Sequence, residues 1–153
     1  MCVIFLKLKG DRLMSQFSLK KSGLKSTLPR IQILELLENN HENNENNKHL
    51  SAEDVYKMLI EQDKEIGLAT VYRVLTQFEK AGILNRHHFD GLHSIFELNE
   101  GEHHDHLVCI KCGNVDEFFD EEIENSQHRI AEKFDFEITD HSLYIYGVCK
   151  NCA

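Results

Sequence analysis

Residues 67–80 read GLATVYRVLTQFEK, and this stretch decides the fold expected for the first half of the chain. Its apolar side chains recur at helical spacing, at Leu68, Val71, Leu75 and Phe78. The opposite side is polar and holds no acidic residue; its members are Thr70, Arg73 and Gln77, with Tyr72 alongside. The pattern predicts a helix over 68–80 with one buried face and one polar face free of negative charge.

Two further helices are predicted directly before this one, after a short helix at Phe17–Ser22 that Gly23 ends. Pro29 suits a first helical turn, and Ile31, Leu34 and Leu37 follow at helical spacing. Residues 38–49 contain six asparagines in twelve positions, which favours a loop. Ser51-Ala52-Glu53-Asp54 then resembles a helix start, with a capping serine and an acid three residues later.

A β-hairpin is predicted to follow the helix at 68–80. Ile83–Phe89 and His93–Leu98 are β-prone, and Asp90-Gly91 between them is a strong turn signal. Three helices followed by a hairpin is the winged form of the helix-turn-helix, whose last helix enters the major groove of DNA.

The second half of the chain predicts a small α/β domain. Residues 106–110 and 115–119 are β-prone, residues 120–134 are amphipathic at helical spacing, and residues 136–148 alternate as one long strand. A domain of this size needs a metal or a partner chain for stability. We therefore predict an α+β protein with an extension or mis-assigned start at 1–14, a winged-helix domain at 15–99, a linker at 100–102 and a metal-binding dimerisation domain at 103–153.

Composition excludes several classes of protein. Of the 153 residues, 41% are apolar and 28% are charged, which argues against a disordered or fibrous chain. No apolar run approaches the roughly 18 residues of a membrane-spanning helix, and Cys2–Leu6 is shorter than a signal-peptide core. We expect a cytoplasmic protein.

Charge is distributed unevenly along a chain that carries −9 overall. Residues 1–30 hold seven Lys/Arg and one acid, residues 31–90 hold six against eleven, and residues 91–153 hold four against fourteen. A basic start followed by an acidic end permits DNA contact through one part and cation binding through another.

Two CxxC motifs predict a metal site. Cys109-x-x-Cys112 and Cys149-x-x-Cys152 supply four thiolates in a chain without an export signal, which matches a tetrahedral structural zinc site. A redox dithiol or unligated core cysteines are the alternatives.

Residues 103–106, His-His-Asp-His, carry a second metal signal. In an extended chain His104 and His106 point one way while His103 and Asp105 point the other, so one segment can serve two sites. Candidate co-ligands are Glu97, Glu117, Glu124, His49 and His141. Such imidazole and carboxylate donors suit Fe(II), Mn(II) or Zn(II), and a solvated polar linker is the alternative.

Basic and aromatic residues point to DNA. Lys20, Lys21, Lys25 and Arg30 can neutralise phosphates, Arg73 can pair with guanine edges, and Tyr72 can contact a thymine methyl. Taken alone, these residues are equally compatible with a solvated surface.

Four motifs together resemble the ferric uptake regulator (Fur) family. They are Gly23-Leu24-Lys25-x-Thr27-x-Pro29-Arg30, Ser51-Ala52-Glu53-Asp54-Val55-Tyr56, residues 67–75 (GLATVYRVL), and His103-His104-Asp105-His106-x-x-Cys109-x-x-Cys112-Gly113. They agree with the family in order and spacing, and the similarity covers about Leu19 to Cys152.

The resemblance implies a metal-dependent repressor that binds operator DNA as a homodimer or a larger assembly of dimers. It assigns DNA contact to Lys25, Arg30, Thr70, Tyr72 and Arg73, and structural zinc to the four CxxC cysteines. It assigns a sensing iron site, which Mn(II) or Zn(II) can also occupy, to His49, Glu97, His104, His106 and Glu117. It assigns an additional metal site to His103, Asp105, Glu124 and His141.

Other interpretations stay open at this point. Within the family, a zinc or peroxide sensor is the alternative, although glutamate at 97 and 117 favours the iron branch over the peroxide branch, which tends to use aspartate. A zinc-dependent hydrolase lacks support, since nothing resembles HExxH. A zinc-ribbon interaction module would leave the first 90 residues unexplained. We expect no enzymatic activity.

Overall fold

The computed structural model of the protein describes residues 19–43, 48–89, 93–101 and 103–153. The chain forms two compact units, one that ends at Glu100 and one that comprises Gly101–Ala153. Across these ranges, none of the helices combines the length and apolar character that crossing a bilayer requires. The predicted extension at 1–14 and the turn predicted at Asp90-Gly91 lie outside the described residues.

The first unit is built from helices and a three-stranded antiparallel sheet. After a helical segment that ends at Lys21, its helices are α1 (Leu28–Asn43), α2 (Ala52–Glu61) and α3 (Leu68–Lys80). Its strands are β1 (Leu50–Ser51), β2 (Leu84–His87) and β3 (Ile95–Leu98), in the order β1-β3-β2. Helices followed by the antiparallel pair β2–β3 form the predicted winged helix-turn-helix.

Helix α3 has the predicted bounds, and its apolar stripe lies in the core. Val71, Val74, Leu75 and Phe78 are buried. The helix ends in a Schellman arrangement, in which Gly82 at φ 72° donates to the Glu79 carbonyl and Ile83 donates to the Phe78 carbonyl. This ending turns the chain sharply from α3 into β2.

Helix α2 begins at a complete capping box. The Ser51 hydroxyl accepts a hydrogen bond from the Asp54 backbone N–H, and the Asp54 carboxylate accepts one from the Ser51 backbone N–H, each at 3.1 Å. Ser51 is also the last residue of β1, so this cap joins the sheet to the helix.

The Asn-rich segment corrects one prediction. A loop was expected from residue 38, whereas α1 continues to Asn43. Asn40 is buried, and the Asn43 side chain donates a hydrogen bond to the Asn39 carbonyl at 2.6 Å. Tertiary packing here outweighs the weak helix propensity of asparagine, so the predicted loop is wrong for residues 38–43.

The second unit is a three-stranded mixed sheet with one described helix. Strands β4 (Asp105–Cys109) and β5 (Val115–Phe118) are antiparallel, and β6 (Tyr144–Gly147) pairs with β4 in parallel. Helix α4 (Glu121–Lys133) begins at Asp120, whose carboxylate accepts from two backbone N–H groups. None of the residues of α4 is buried. Few apolar side chains therefore stabilise this unit from within.

The predicted long strand at 136–148 is also wrong in extent. Strand β6 spans only Tyr144–Gly147, paired from His106↔Tyr144 to Cys109↔Gly147. Because β4 begins at Asp105, residues 136–142 lie beyond its reach and belong to no strand among the described residues. Apolar alternation alone did not reveal where the pairing strand begins.

We expect neighbouring substitutions in α2 to differ sharply in effect. Leu59 is fully buried and Ile60 is 52% exposed. Leu59→Ala should lower the free energy of unfolding of the first unit by about 2–5 kcal/mol, because it leaves a cavity. Ile60→Ala should lower it by less than about 1 kcal/mol. Urea denaturation followed by circular dichroism measures both, and equal losses would contradict this packing.

Candidate functional site

The four cysteines of the CxxC motifs meet at one edge of the second sheet. Strand β4 ends at Cys109, and β6 ends at Gly147, two residues before Cys149. Because the strands run parallel with Cys109 opposite Gly147, their ends lie side by side. The sulfur atoms of Cys109, Cys112, Cys149 and Cys152 all lie within 4.8 Å of one another. This is the donor set of a tetrahedral zinc site.

Hydrogen bonding within the cluster shifts the pKa values of its thiols in opposite directions. Backbone N–H groups of Cys149 and Cys112 lower the pKa of the Cys109 thiol to about 6. Interaction with the Cys112 sulfur, the largest of several effects of neighbouring sulfurs, raises the pKa of Cys152 to about 12. Once their protons are lost, four thiolates this close repel one another, and a positive ion bound among them offsets that repulsion. The cysteines therefore fit structural zinc.

A second donor cluster joins β4 to helix α4 and to the loop before β6. Its members, whose donor atoms lie within 4.8 Å of one another, are His103, Asp105, Glu124 and His141. His103 Nε2 lies 3.3 Å from Asp105 Oδ1 and 3.5 Å from Glu124 Oε1. His141 Nε2 lies 3.4 Å from the same oxygen of Glu124.

Three atoms of this second cluster are buried and, despite these short distances, make no hydrogen bond of good geometry in the described part of the chain. They are Asp105 Oδ1, Glu124 Oε1 and His141 Nε2. Polar atoms buried in this way destabilise a protein unless something else satisfies them. A divalent cation bound by the imidazole nitrogen and the two carboxylate oxygens would satisfy all three atoms together.

The opposite side of the same segment carries His104 and His106. Their rings are 5.0 Å apart between centroids, in an edge-on arrangement. Glu117 is the register partner of His106 on β5, and its Oε1 lies 3.9 Å from His104 Nε2. The structure thus separates His104 and His106 from His103 and Asp105, as strand alternation predicts.

In the first unit, Glu97 lies on the central strand with histidine beside it. Leu50 pairs with Phe96, so His49, one residue earlier, comes next to Glu97. His49 Nε2 lies 2.8 Å from Glu97 Oε2, and Glu97 is only 3% exposed. The structure therefore brings His49 and Glu97 together although 48 positions separate them in sequence.

Two residues that contact Glu97 were missed from sequence. Asn85 Nδ2 donates to Glu97 Oε1 at 3.2 Å, and His87 Nε2 lies 2.9 Å from the same oxygen. The His87 ring also stacks on Phe89, with 5.6 Å between centroids. Since Asn85 is the register partner of Glu97, correct alignment of the two hairpin strands would have identified both residues. Glu97 Oε1 therefore contacts side chains of β2, and Glu97 Oε2 faces His49.

The polar face of α3 is accessible. Tyr72 and Arg73 are exposed, Thr70 is half-buried, and Lys25 is exposed ahead of α1. An exposed aromatic and a guanidinium side by side on one helix suit base edges in the major groove.

Arg30 has structural contacts in addition to its predicted DNA contact. Its guanidinium donates to Gln77 Oε1 on α3 at 3.1 and 2.9 Å. It also donates to the backbone carbonyl of Lys25 at 2.8 Å. Arg30 therefore links the start of α1 and the preceding turn to α3.

A winged helix-turn-helix joined to a unit with clustered metal donors defines a metal-responsive, DNA-binding transcription regulator. Residues 21–146 match the model of the ferric uptake regulator family. The chain is 60% identical over 134 residues to the ferric uptake regulation protein of Legionella pneumophila, covering 88% of this chain and 95% of that relative. The chain belongs to the ferric uptake regulator family.

Solved structures agree with this assignment. The ferric uptake regulator of Vibrio cholerae is 55% identical, with a TM-score of 0.79 over 88% of this chain and 98% of that one. The regulator of Francisella tularensis with iron is 49% identical, with a TM-score of 0.78 over 85% and 95%. The expected α+β fold and the expected role as a metal-responsive repressor of iron homeostasis are confirmed. Its relatives are named as regulators of ferric uptake.

Removal of one cysteine from either CxxC motif should unfold the second unit. Cys109→Ser and Cys149→Ser should each lose zinc, because the unit has few buried apolar residues to hold it without the metal. Metal analysis and amide dispersion in NMR spectra measure the two effects. Cys2→Ser, outside both motifs, is the control and should keep full zinc. A folded, zinc-free Cys109→Ser protein would contradict the structural role.

Proposed function

We propose that the chain is an iron-responsive repressor whose co-repressor Fe(II) binds to His49, Glu97, His104, His106 and Glu117. The observation that carries this proposal is the approach of buried Glu97 to His49 in the first unit, at 2.8 Å. The second unit offers a matching group in His104, His106 and Glu117. Each unit thus contributes an incomplete set of imidazole and carboxylate donors.

The mechanism follows from ligands on both sides of the linker. A cation shared by the two sets neutralises their acidic charge and favours one relative orientation of the domains. Glu97 lies on the first sheet with His49 directly before β1, and His106 and Glu117 lie on the second sheet, so most of these ligands are fixed to strands. In a dimer that orientation sets the spacing of the two α3 helices. The result is a population shift toward the geometry that binds operator DNA.

Fe(II) is the metal we favour, with Mn(II) or Zn(II) able to substitute. Mixed nitrogen and oxygen donors discriminate poorly between neighbouring divalent ions, so availability contributes to selection. The Francisella tularensis relative was solved with iron, which supports this choice. A zinc- or peroxide-sensing regulator of the same family is the alternative. Metal content of protein purified without air, measured together with its DNA affinity, separates these functions.

The remaining two clusters are assigned to stability and to an additional site. Cys109, Cys112, Cys149 and Cys152 hold structural zinc. His103, Asp105, Glu124 and His141 form an additional metal site, which their buried, unsatisfied atoms support. Both clusters lie within 103–153, the part we propose as the dimerisation domain.

Homodimer formation is supported by an apolar surface on the second unit. Ile130, Phe134 and Phe136 are 60%, 69% and 76% exposed. Three large apolar side chains this close in sequence and this exposed are unusual for a monomer and typical of an interface. A second copy of the chain covers such a surface symmetrically.

DNA recognition is assigned to α3 and the basic residues before α1. Tyr72 and Arg73 contact base edges in the major groove, with Thr70 beside them, and Lys25 reaches the minor groove. Arg30 serves phosphate contact and holds the Lys25 turn against α3. Operator duplex in the cytoplasm is the partner, and no membrane or small-molecule substrate is involved.

Loss of His104 should separate sensing from folding. His104→Ala should abolish metal-stimulated operator binding while structural zinc and dimer remain, because the residue belongs to neither the cysteine cluster nor the apolar surface. Fluorescence anisotropy with and without Mn(II) measures the stimulation. His128→Ala, an exposed histidine on α4, is the matched control. If His104→Ala still requires Mn(II) for operator binding, the sensing site lies elsewhere, first at His103 and its cluster.

Substitutions on the DNA face should distinguish base contact from backbone contact. Arg73→Ala should weaken operator binding by about 1–3 kcal/mol and non-operator binding much less, because a bidentate base contact is lost. Lys25→Ala should weaken binding to both duplexes more evenly. The affinity of each variant for both duplexes, measured over a range of salt concentrations, tests this prediction. Equal losses on both duplexes for both variants would show that α3 is not the reading helix.

A further inference from the structure

An acidic residue contacts the exposed face of α3 from the neighbouring helix. Tyr72 Oη donates a hydrogen bond to Glu53 Oε1 at 2.6 Å. Glu53 lies in the first turn of α2, 19 positions earlier, and Tyr72 stays 38% exposed while it makes this contact. The hydroxyl of the residue assigned to base contact is thus held by a carboxylate.

The capping of α2 does not explain this carboxylate. Asp54 already completes the capping box with Ser51. An acid in a first helical turn also interacts favourably with the helix dipole, but any acid in that turn does so, whatever its rotamer. The side chain of Glu53 instead reaches α3, so its orientation requires a different account.

Glu53 keeps its charge beside this exposed face. The hydrogen bond from Tyr72 lowers the pKa of Glu53, and the same bond raises the pKa of Tyr72. Glu53 therefore stays ionised and Tyr72 stays a donor at neutral pH. Glu53 Oε2 is buried with no hydrogen-bond partner among the described residues. Glu79, the acid of α3 itself, pairs with Arg86 at 3.5 Å, whereas Glu53 brings its charge from α2 to Tyr72.

We propose that Glu53 is a specificity-determining residue, whose carboxylate orients the Tyr72 ring for base contact and weakens binding to any duplex through its negative charge. The proposal rests on the function proposed above, in which Tyr72 contacts bases. Orienting the Tyr72 ring should raise the affinity for the operator alone, since only the operator places matching bases against the ring. Charge acts on every duplex, because phosphates are the same at every sequence.

Two substitutions separate these effects. Glu53→Gln keeps an acceptor for Tyr72 and removes the charge, so operator and non-operator affinity should both rise about twofold, as expected for one unit charge about 10 Å from phosphate in water. Glu53→Ala removes charge and acceptor. Its non-operator affinity should rise similarly, whereas the ratio of operator to non-operator affinity should fall at least about tenfold.

The experiment uses full-length, Mn(II)-loaded protein with two duplexes. One is an operator selected by this protein from random DNA, and the other is the same sequence scrambled. Tyr72→Phe removes the hydroxyl, so adding Glu53→Ala to it should not lower the ratio further. Glu61→Gln, at the far end of α2, is the matched charge control and should leave the ratio unchanged. Thermal unfolding checks that α2 is intact in every variant.

Results other than those expected identify which part of the proposal is wrong. An unchanged ratio in Glu53→Ala overturns the orienting role, and equal losses on both duplexes would show that Glu53 only supports the fold. An unchanged affinity in Glu53→Gln at low salt overturns the charge effect. If Tyr72→Ala leaves the ratio unchanged, the proposed base contact is itself wrong and this inference fails with it. If Tyr72→Ala lowers the ratio and Glu53→Ala does not, only the present inference fails.

Discussion

The parallel pairing of β4 with β6 is the constraint on which the second unit depends. It places the ends of both strands side by side and brings two CxxC motifs 36 residues apart to a single cluster. Helix α4 buries none of its residues, and Val108 and Cys109 are among the few buried side chains. A unit with so little apolar burial gains its stability from ligation, since metal binding free energy there is also folding free energy.

The same strand links the remaining donors to that cluster. One end of β4 carries Cys109, and the other carries Asp105 and His106, which point to opposite faces. Anything that fixes β4 therefore fixes one ligand of each of the three proposed metal sites. Glu97 has the same advantage in the first unit, because it lies on a central strand with neighbours on both sides. Ligands on strands are held more rigidly than ligands on loops, which suits the proposed sensing site, because its proposed effect is to favour one orientation of the domains.

How much of the structure could be predicted from the sequence depends on whether the deciding interactions are local in sequence or tertiary. Helix α3 has the expected bounds because its apolar period and its glycine stops are local signals. The helical residues 38–43 were missed because burial of Asn40, a tertiary effect, outweighs asparagine propensity. The extent of β6 depends on where its partner β4 begins, which the segment 136–148 does not itself record. Asn85 and His87 were missed for a related reason, since only the register of β2 against β3 places them beside Glu97.

Negative charge serves two purposes in this chain. A protein of net charge −9 is repelled by DNA, yet fourteen of its acids fall in residues 91–153, which follow α3 in the sequence. Glu97, Asp105, Glu117 and Glu124 belong to proposed metal sites, so cations bound there would also remove part of the charge that opposes DNA. Glu53 differs from these, because no proposed metal site includes it and its hydrogen-bond partner is Tyr72 on α3. Its charge therefore stays in place when the metal sites are filled, and it opposes binding under the conditions in which the repressor is active. A regulator that must release most genomic sites while holding its operator benefits from such a permanent opposing charge, since weaker phosphate attraction leaves base contacts to decide where it binds.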